Sequence, residues 1–359
     1  MADAWIRGKA ATLEAASEEA ASLLQRSRLP VIAGLGTDVA GARAAIVLAQ
    51  KVGGVIDHMH SAALLRDLDV MREAGMMVTT PNETRLRADL LLLVGPGLVE
   101  AWPDLPARLW ADQARRVVWL CPGGAERASR GGAKIEVIGD DPSELAILLA
   151  SLRARCAGRP GGHAPLPQQK LNTLAETLAK ARFGVAVWSA AAHDVLTIEM
   201  LCGLVKDLNT TTRLSGLPLA PGDDAAAVQQ VSGWLTGFPL RTSFGRGFPE
   251  HDPWRFDSPR LIDSGEADCA LWISGYRAAS PAWTRDVPFI ALTATPDGFR
   301  RPPEIAIAVG RPGIDHDSVQ HLPATGTLAS VAAQAPLNVI SIADAVNKIA
   351  AALPMVSPC

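Results

Sequence analysis

The sequence has few cysteines, and none of them are closely spaced. Its 359 residues contain no C-x-x-C pair, and the five cysteines are Cys121, Cys156, Cys202, Cys269 and Cys359. Zinc ribbons and iron–sulfur clusters take thiolates from such pairs, so neither site is available locally. An odd, scattered set of cysteines indicates reduced thiols in a cytoplasm rather than a disulfide framework.

Long apolar runs and an excess of one charge are also missing. No run approaches the ~20 apolar residues that span a membrane, and the N-terminus lacks the apolar region of a signal peptide. The net charge of −3, with 34 basic residues, gives no bulk attraction to nucleic acid or anionic membrane. With 48% apolar and 20% charged residues, the composition predicts a globular, soluble, cytoplasmic protein.

Common hydrolase signatures are absent as well. The sequence contains neither a G-x-S-x-G nucleophile elbow nor an H-E-x-x-H zinc motif. Two acidic pairs, Asp140–Asp141 and Asp223–Asp224, precede predicted helices, where carboxylates complement the helix dipole. We therefore do not interpret either pair as a general acid–base pair.

The elements that are present alternate between short apolar runs and helical patterns. Residues 1–26 predict an N-terminal helix, and continuous apolarity in "VIAGLG", "GVID", "MMVTT", "ADLLLLVG", "RVVWLCP" and "KIEVIG" predicts strands covered on both faces. Residues 156–170 are rich in glycine and proline and are typical of a linker. The pattern then recurs, since "ADCALWISG", "VPFIALTATP" and "EIAIAVG" resemble the earlier strands.

This duplication predicts two consecutive, doubly wound α/β domains with mostly parallel sheets. The first domain would span residues 27–155, the linker 156–170 and the second domain 171–355.

The glycine turn "GLGTDVAG" is the first candidate binding site. Its glycines are Gly34, Gly36 and Gly41, whereas a dinucleotide fingerprint needs a glycine at Val39, and no P-loop lysine follows. Backbone amides there could hold an anion. A tight turn with Thr37 or Asp38 capping a helix is the preferred interpretation.

Two histidine motifs are weak metal candidates. His58 and His60 of "DHMHS" follow a strand end, where open sheets bind ligands, and would share one face of an extended backbone. The second motif, "IDHDSVQH", holds Asp315, His316, Asp317 and His321, and a turn is its preferred interpretation. Neither motif has the full ligand set of a metal site nearby in sequence.

The most unusual stretch is "GWLTGFPLRTSFGRGFPEHDPWRFD", residues 233–257. It contains two tryptophans, four phenylalanines and the arginines Arg241, Arg246 and Arg255. Aromatic residues and arginines are favoured at the centres of protein interfaces, so the stretch predicts an interface. A loop that folds back over its own sheet is the alternative.

Together these segments resemble the B subunit of formylmethanofuran dehydrogenase and, within that family, the B subunits of formyltransferase/hydrolase complexes of methylotrophic bacteria. The similarity runs in order from about residue 27 to 350. It is carried by "VIDHMHSAALLRDLDVMREAG", "NETRLRADLLLLVGPGLVEAWPDLPARL", "PGIDHDSVQHLPATGTLAS" and most specifically by residues 233–275.

The resemblance implies a molybdopterin-oxidoreductase-like fold without the iron–sulfur domain. Catalytic relatives hold a molybdenum or tungsten pterin, use an N-terminal cysteine-rich segment, and supply a metal-binding cysteine after the "VID" strand. Residues 1–28 and 58–75 contain no cysteine, and Ala63 stands about where the metal ligand would fall. Since such a centre needs preplaced thiolates, we expect no redox chemistry and no cofactor here.

The resemblance therefore predicts a non-catalytic structural subunit of a cytoplasmic formyltransferase/hydrolase complex. Its partners would be a zinc amidohydrolase-like A subunit, the C and D subunits and a methanofuran-like carrier with an acidic tail, which favours Arg241, Arg246 or Arg255 as contacts. The complex would transfer formyl groups from formyl-tetrahydromethanopterin during oxidation of formaldehyde to formate.

Two alternatives remain open. One is a formylmethanofuran dehydrogenase subunit with molybdopterin guanine dinucleotide at the Gly34, Gly36 and Thr37 turn and at the strand ends near Gly95 and Gly275. The other is a plain nucleotide- or thiamine-type cofactor binder, against which Val39 counts.

Overall fold

The structure is a computed structural model that describes residues 3–110, 115–126, 135–160, 164–296 and 298–354. Its strands are β1 (Ala4–Ile6), β2 (Lys9–Ala11), β3 (Pro30–Gly36), β4 (Val55–Ile56), β5 (Leu90–Val94), β6 (Arg116–Leu120), β7 (Ile135–Ile138), β8 (Gly184–Trp188), β9 (Leu214–Pro218), β10 (Thr242–Ser243), β11 (Glu250–His251), β12 (Cys269–Ser274), β13 (Phe289–Thr293), β14 (Ile305–Ala308), β15 (Ser318–Leu322) and β16 (Thr327–Val331).

The helices alternate with these strands along most of the chain. They are α1 (Leu13–Arg26), α2 (Val39–Val52), α3 (Ser61–Ala74), α4 (Pro81–Arg87), α5 (Leu98–Ala101), α6 (Leu105–Leu109), α7 (Gly123–Glu126), α8 (Leu145–Cys156), α9 (Gln168–Ala179), α10 (Val195–Leu208), α11 (Ala225–Thr236), α12 (Ser258–Asp263) and α13 (Ile342–Ala352). Short 3-10 helices span Pro142–Glu144 and Ala190–Ala192.

The chain forms two compact units that are not consecutive in sequence. Unit 1 comprises residues 1–61, 223–321 and 328–359, and unit 2 comprises residues 62–222 and 322–327. The predicted boundaries at 27–155 and 171–355 are therefore wrong. The first βαβ of the chain pairs with strands more than two hundred residues later, because β3 lies beside β12 in one sheet.

Unit 1 contains a nine-stranded sheet in the order β11-β10-β4-β3-β12-β13-β14-β1-β2. The five strands from β4 to β14 in this order are mutually parallel. Antiparallel pairs complete both edges, with β10 and β11 beside β4 and with β1 and β2 beside β14. A separate two-stranded sheet pairs β15 with β16.

Unit 2 contains a five-stranded parallel sheet in the order β7-β6-β5-β8-β9. Side chains alternate across it, since Leu90, Leu92 and Val94 enter one apolar core, whereas Leu91 and Leu93 enter the other. A strand buried on both faces needs apolar residues at every position. This explains the continuous apolar run of β5 and confirms the prediction of doubly wound, mostly parallel sheets.

The predicted internal duplication is real, but the repeats are connected differently from the prediction. β5, β6 and β7 are adjacent in one sheet as β12, β13 and β14 are in the other, and the pair β8–β9 corresponds to β3–β4. In unit 1 the two-strand part comes first along the chain, whereas in unit 2 the three-strand part comes first. Local apolar patterns predict strands but carry no information about which distant strand completes a sheet.

Three further predictions need correction. The N-terminal segment 1–26 becomes helical only at Leu13, because β1 and β2 first extend the sheet of unit 1. "MMVTT" forms only an isolated bridge between Val78 and Gly216. Residues 156–170 do not separate domains, since α8 and α9 on either side pack within unit 2; residues 161–163 lie outside the described part of the chain.

Among the residues that the structure describes, no helix is long and apolar enough to cross a membrane.

A glycine substitution tests the close approach of β3 to β12. Gly34 has φ +78°, and a Cβ there would lie 2.6 Å from the carbonyl oxygen of Ile273. We expect Gly34→Ala to lower the free energy of unfolding by at least about 2 kcal/mol more than Gly8→Ala, because steric overlap adds to the backbone strain. Gly8 is the matched control, since it has φ +73° and nothing within 4 Å of a Cβ. Equal losses in urea unfolding would contradict this packing.

Candidate functional site

The candidate site of unit 1 lies at the carboxyl edge of its parallel strands. The strand order reverses between β3 and β12, and open α/β sheets bind ligands at such a switch point. The segments that follow β3, β4 and β12 meet there, together with the residues that precede α11. The predicted turn at Gly34 and the predicted histidines therefore belong to one edge.

The turn after β3 is closed by its own side chains. The carboxylate of Asp38 accepts a hydrogen bond from the backbone N–H of Gly41 at 3.0 Å and caps α2. Thr37 is fully buried, and a Cβ on Gly41 would lie only 1.9 Å from its hydroxyl oxygen. The interpretation of a tight turn with a capped helix is confirmed.

The ends of β3 and β12 are also joined directly. The backbone N–H of Gly275 donates to the carbonyl oxygen of Gly36 at 2.8 Å. Ile342, the first residue of α13, lies so close that a Cβ on Gly275 would be 2.3 Å from its Cδ1. Protein atoms thus occupy the space between the two strand ends.

His58 lies after β4 and is held as a neutral ring. Its Nδ1 accepts a hydrogen bond from the backbone N–H of His60 at 2.9 Å, and its Nε2 lies 3.1 Å from the carbonyl oxygen of Asp223. Nε2 must therefore carry the proton and donate it. Burial lowers the pKa of His58 to about 4, so the ring has no free nitrogen and no charge near neutral pH.

Asp223 is the centre of the charged contacts. Arg277 reaches it with Nε at 2.9 Å and Nη2 at 2.7 Å from Oδ2, and His60 Nε2 lies 3.0 Å from the same oxygen. Burial alone would raise the pKa of this carboxyl, but the hydrogen bonds from His60 and Arg277 hold it at about 2. Asp223 is therefore a buried anion with cationic and polar donors around it.

The contact between His60 and Asp223 also has a topological role. Unit 1 ends its first segment at Ser61 and resumes at Asp223, so these residues flank the points where the chain leaves and re-enters the unit. Within unit 1, the Asp223 network ties these two points together.

Asp224 has the opposite electrostatic character. Its Oδ1 accepts a hydrogen bond from the backbone N–H of His321 at 2.8 Å, and its Oδ2 lies 3.4 Å from the hydroxyl of Tyr276. Burial, and secondarily the charge of Asp38, raises its pKa to about 7. Asp223 and Asp224 have φ of 57° and 56°, and no side-chain hydrogen bond from Asp224 caps α11. The pair precedes a helix as predicted, but its side chains make tertiary contacts in place of a capping hydrogen bond, whereas Asp141 does cap the following 3-10 helix.

The metal candidates are not assembled into a ligand set. The rings of His58 and His60 lie 5.5 Å apart, but their Nε2 atoms contact Asp223. Asp315 pairs with Arg311 at 3.0 Å in the predicted turn, and His316 Nδ1 contacts the carbonyl oxygen of Asp317. Over the residues that have described positions, no three histidine, cysteine or acidic side chains converge as metal ligands.

The three arginines of segment 233–257 have different environments. Arg241 has a side chain that is only 15% exposed, with Nε 3.5 Å from Asp57 and Nη2 2.5 Å from Asp257. Arg246 is exposed and pairs with Glu250 at 3.2 Å. Arg255 is also exposed and lies over the ring of Phe256, 5.3 Å from its centroid.

Unit 2 has a carboxyl edge of its own, where Gly95 follows β5. The ring of His193 lies directly against Gly95, and its Nε2 is 3.2 Å from the carbonyl oxygen of Val94. Burial lowers the pKa of His193. Asp67 accepts a hydrogen bond from Trp188, and burial raises the pKa of this carboxyl to about 6. Sequence reasoning missed His193 and Asp67, although the position of His193 shortly after β8 is a signal that could have drawn attention to it.

The thiols of the described cysteines are unreactive. Burial raises the pKa of Cys121 and Cys156 to about 11 and that of Cys202 and Cys269 to about 12, so all four are protonated thiols. Cys359 lies outside the described residues. Ala63, where the resemblance places a metal-binding cysteine, is buried in an apolar core of unit 2.

Comparisons with known proteins agree with this architecture. The B subunit of the formyltransferase/hydrolase complex Fhc of Methylorubrum extorquens is 37% identical over 318 residues, or 86% of this chain and 85% of that protein. A chain in the X-ray crystal structure of the FhcABCD complex from the same organism, in complex with methylofuran, has a TM-score of 0.86 and 35% identity. That match covers 96% of this chain and 97% of that chain.

Two more distant relatives are subunits of a tungsten-containing enzyme. The B subunit of tungsten-containing formylmethanofuran dehydrogenase 2 is 25% identical in Methanococcus maripaludis and 26% identical in Methanocaldococcus jannaschii. These matches cover 72% and 73% of this chain but only 63% of each relative. No protein-family model matches the sequence.

The neutral state of His58 predicts acid sensitivity. The pKa of His58 is lowered from 6.5 to about 4, so the stability it contributes is complete above pH 6.5 and is lost as the pH falls to 4. This shift corresponds to about 3 kcal/mol. We expect His58→Gln to be less stable at neutral pH but to lose about 3 kcal/mol less between pH 6.5 and 4 in urea unfolding.

Asp224→Asn is the control for this measurement, because its expected effect has the opposite sign. The pKa of Asp224 is raised from 3.8 to about 7, so its contribution is complete below pH 3.8 and is lost as the pH rises through 7. The variant should therefore gain stability relative to the wild type towards pH 8. If both variants kept the wild-type pH profile, the assigned protonation states would be wrong.

Proposed function

Because the chain belongs to the family of formyltransferase/hydrolase complex B subunits, we propose that it is a non-catalytic, cytoplasmic structural subunit of such a complex. The relationship spans nearly the whole chain, at 35% identity and a TM-score of 0.86 to a chain of FhcABCD. Its partners would be the zinc amidohydrolase-like A subunit and the C and D subunits.

The observation that carries this proposal is Ala63. A pterin-bound molybdenum or tungsten centre of the kind the wider family implies needs a preplaced ligand there, but the methyl group of Ala63 packs into an apolar core. His58 offers no substitute, because both of its ring nitrogens are already hydrogen-bonded. The residues present do not fit this cofactor.

Such a subunit suits a reaction that moves no electrons. Transfer of a formyl group from tetrahydromethanopterin to a methanofuran-like carrier, followed by hydrolysis to formate, changes the acyl acceptor but not the oxidation state of the carbon. The chain would then support partners that carry out both steps. Buried ion pairs and capped turns at the carboxyl edge of unit 1 are consistent with this supporting role.

The different burial of the three arginines supports two of them as contacts for an acidic carrier. The guanidinium of Arg241 is nearly buried between two aspartates, which leaves the exposed Arg246 and Arg255 as the candidate contacts. Arg246 would exchange its contact with Glu250 for a carboxylate of the carrier.

The relatives in tungsten enzymes favour one alternative, a pterin-dependent oxidoreductase subunit. Purification of the natural assembly separates the two functions. We expect the chain to co-purify with A, C and D subunits and with formyltransferase/hydrolase activity, and to contain far less than one molybdenum or tungsten per chain. Near-stoichiometric metal with a released guanine nucleotide, or dye-linked formate oxidation by the chain alone, would overturn the proposal.

Arginine variants test the carrier contact within the intact complex. We expect Arg246→Ala/Arg255→Ala to weaken methylofuran binding about tenfold or more, since each charge-assisted contact contributes roughly 1 kcal/mol or more. Arg28→Ala, which removes another exposed guanidinium of unit 1 that pairs with Asp268, is the control and should bind as the wild type does. If isothermal titration gave the same affinity for the double variant as for the wild type, the proposed carrier contact would be refuted.

A further inference from the structure

Segment 233–257 exposes large apolar side chains to water. Trp234 is 62% exposed, Leu235 41%, Phe238 40%, Phe248 54% and Trp254 71%. Scattered apolar residues on a surface are normal, but this density within one segment of one unit is not. Tryptophan in particular contributes strongly to binding energy at protein interfaces.

The segment is also fixed in place by buried contacts. Arg241 pairs with Asp57 and Asp257, and Asp57 in turn accepts hydrogen bonds from the N–H and hydroxyl of Ser258 at 2.9 and 2.7 Å. β10 pairs with β4 of the sheet, so the hairpin of β10 and β11 continues unit 1 rather than forming a separate loop. A surface held in this way loses little conformational entropy on binding.

Contacts within the segment bring its parts together. The ring of Phe238, after α11, stacks on His251 of β11 with centroids 6.4 Å apart. Arg241 donates to the carbonyl oxygen of Pro253, directly before Trp254. One side of the Trp254 ring is covered by the guanidinium of Arg260 at 4.6 Å, yet most of the ring remains exposed.

The exposed area suits a protein partner. An aromatic side chain has about 150–250 Å² of surface, so the exposed fractions leave on the order of 500 Å² of apolar surface in water. A standard interface buries about 800 Å² on each partner. The five side chains alone would supply more than half of that area.

The charges of the segment indicate which chemistry the partner brings. Arg241, Arg246 and Arg260 are already paired with carboxylates of unit 1. Arg255, which is exposed, lies over the ring of Phe256 instead. Most of the positive charge beside the aromatic rings is therefore already balanced, and an apolar surface of low charge complements them best.

We propose that these five side chains form the surface on which another subunit of the heteromeric complex docks through an apolar patch of its own. The proposal rests on the proposed function, because a chain of similar fold is part of the four-subunit FhcABCD assembly. The carrier contact proposed above uses the charged side chains of Arg246 and Arg255, whereas the docking uses the apolar side chains.

The test uses the complex expressed with all of its subunits. We expect Trp234→Ser/Trp254→Ser to reduce the recovery of partner subunits with this chain at least tenfold, while the isolated variant keeps the circular dichroism spectrum and melting temperature of the wild type. Leu86→Ser is the matched control, since Leu86 is 72% exposed on unit 2 and lies outside the segment. It should leave assembly unchanged, as should Arg246→Ala/Arg255→Ala.

Salt distinguishes apolar docking from ionic docking. The wild-type complex should survive gel filtration in 1 M sodium chloride, because apolar contacts are not screened. Full recovery of partners with the tryptophan variant would overturn the proposal. A wild-type homodimer that the tryptophan substitutions dissociate would also overturn it, in favour of a second copy as the occupant. A wild-type chain that recovers no partner would refute the proposed function itself.

Discussion

The fold of unit 1 depends on one buried carboxylate. Arg277 balances the charge of Asp223, and His60 forms a hydrogen bond with the same carboxylate. His60 precedes the insertion of unit 2, Asp223 follows it, and Arg277 follows β12. An unpaired carboxylate at this depth would cost several kcal/mol. The sheet edge at which open α/β sheets bind ligands is therefore organised around an internal ion pair, and the neutral His58 belongs to the same network.

This arrangement agrees with the proposed function, which needs no electron transfer. A metal centre requires donors that are empty in the apoprotein and rigidly aimed. In this chain the nitrogens of His58 are occupied, the cysteines with described positions are protonated and at least partly buried, and Ala63 belongs to a core. In the proposed function the complex transfers an acyl group. The partner subunits would carry out that reaction, and this chain would provide the surfaces that they contact.

Much of the local structure could be predicted from the sequence. Continuous apolarity located β3, β5, β6, β12 and β13 within a few residues, and the capping potential of Asp38 was recognisable because its environment is local. The domain boundaries were not predictable in this way, because the pairing of β3 with β12 spans the whole insertion. The roles of Arg277 and Tyr276 are not predictable for the same reason. Arg277 contacts Asp223 and Tyr276 contacts Asp224, and each partner is about fifty residues away in sequence. Arg241 resembles a ligand contact in the sequence, whereas in the structure its guanidinium is nearly buried beside Asp57 and Asp257.

The interruption of unit 1 by unit 2 also dictates the order in which the chain can fold as it is synthesised. When β3 and β4 leave the ribosome, their neighbour β12 does not yet exist, and about two hundred further residues must be translated first. At roughly 5–20 residues per second this delay is on the order of ten seconds or more. During this time the parallel sheet of unit 2 can form, while the edge of β3 that will pair with β12 remains exposed and unpaired. Nascent chains of this protein should therefore recruit chaperones chiefly through their first sixty residues, a demand created by connectivity rather than by instability of the finished molecule.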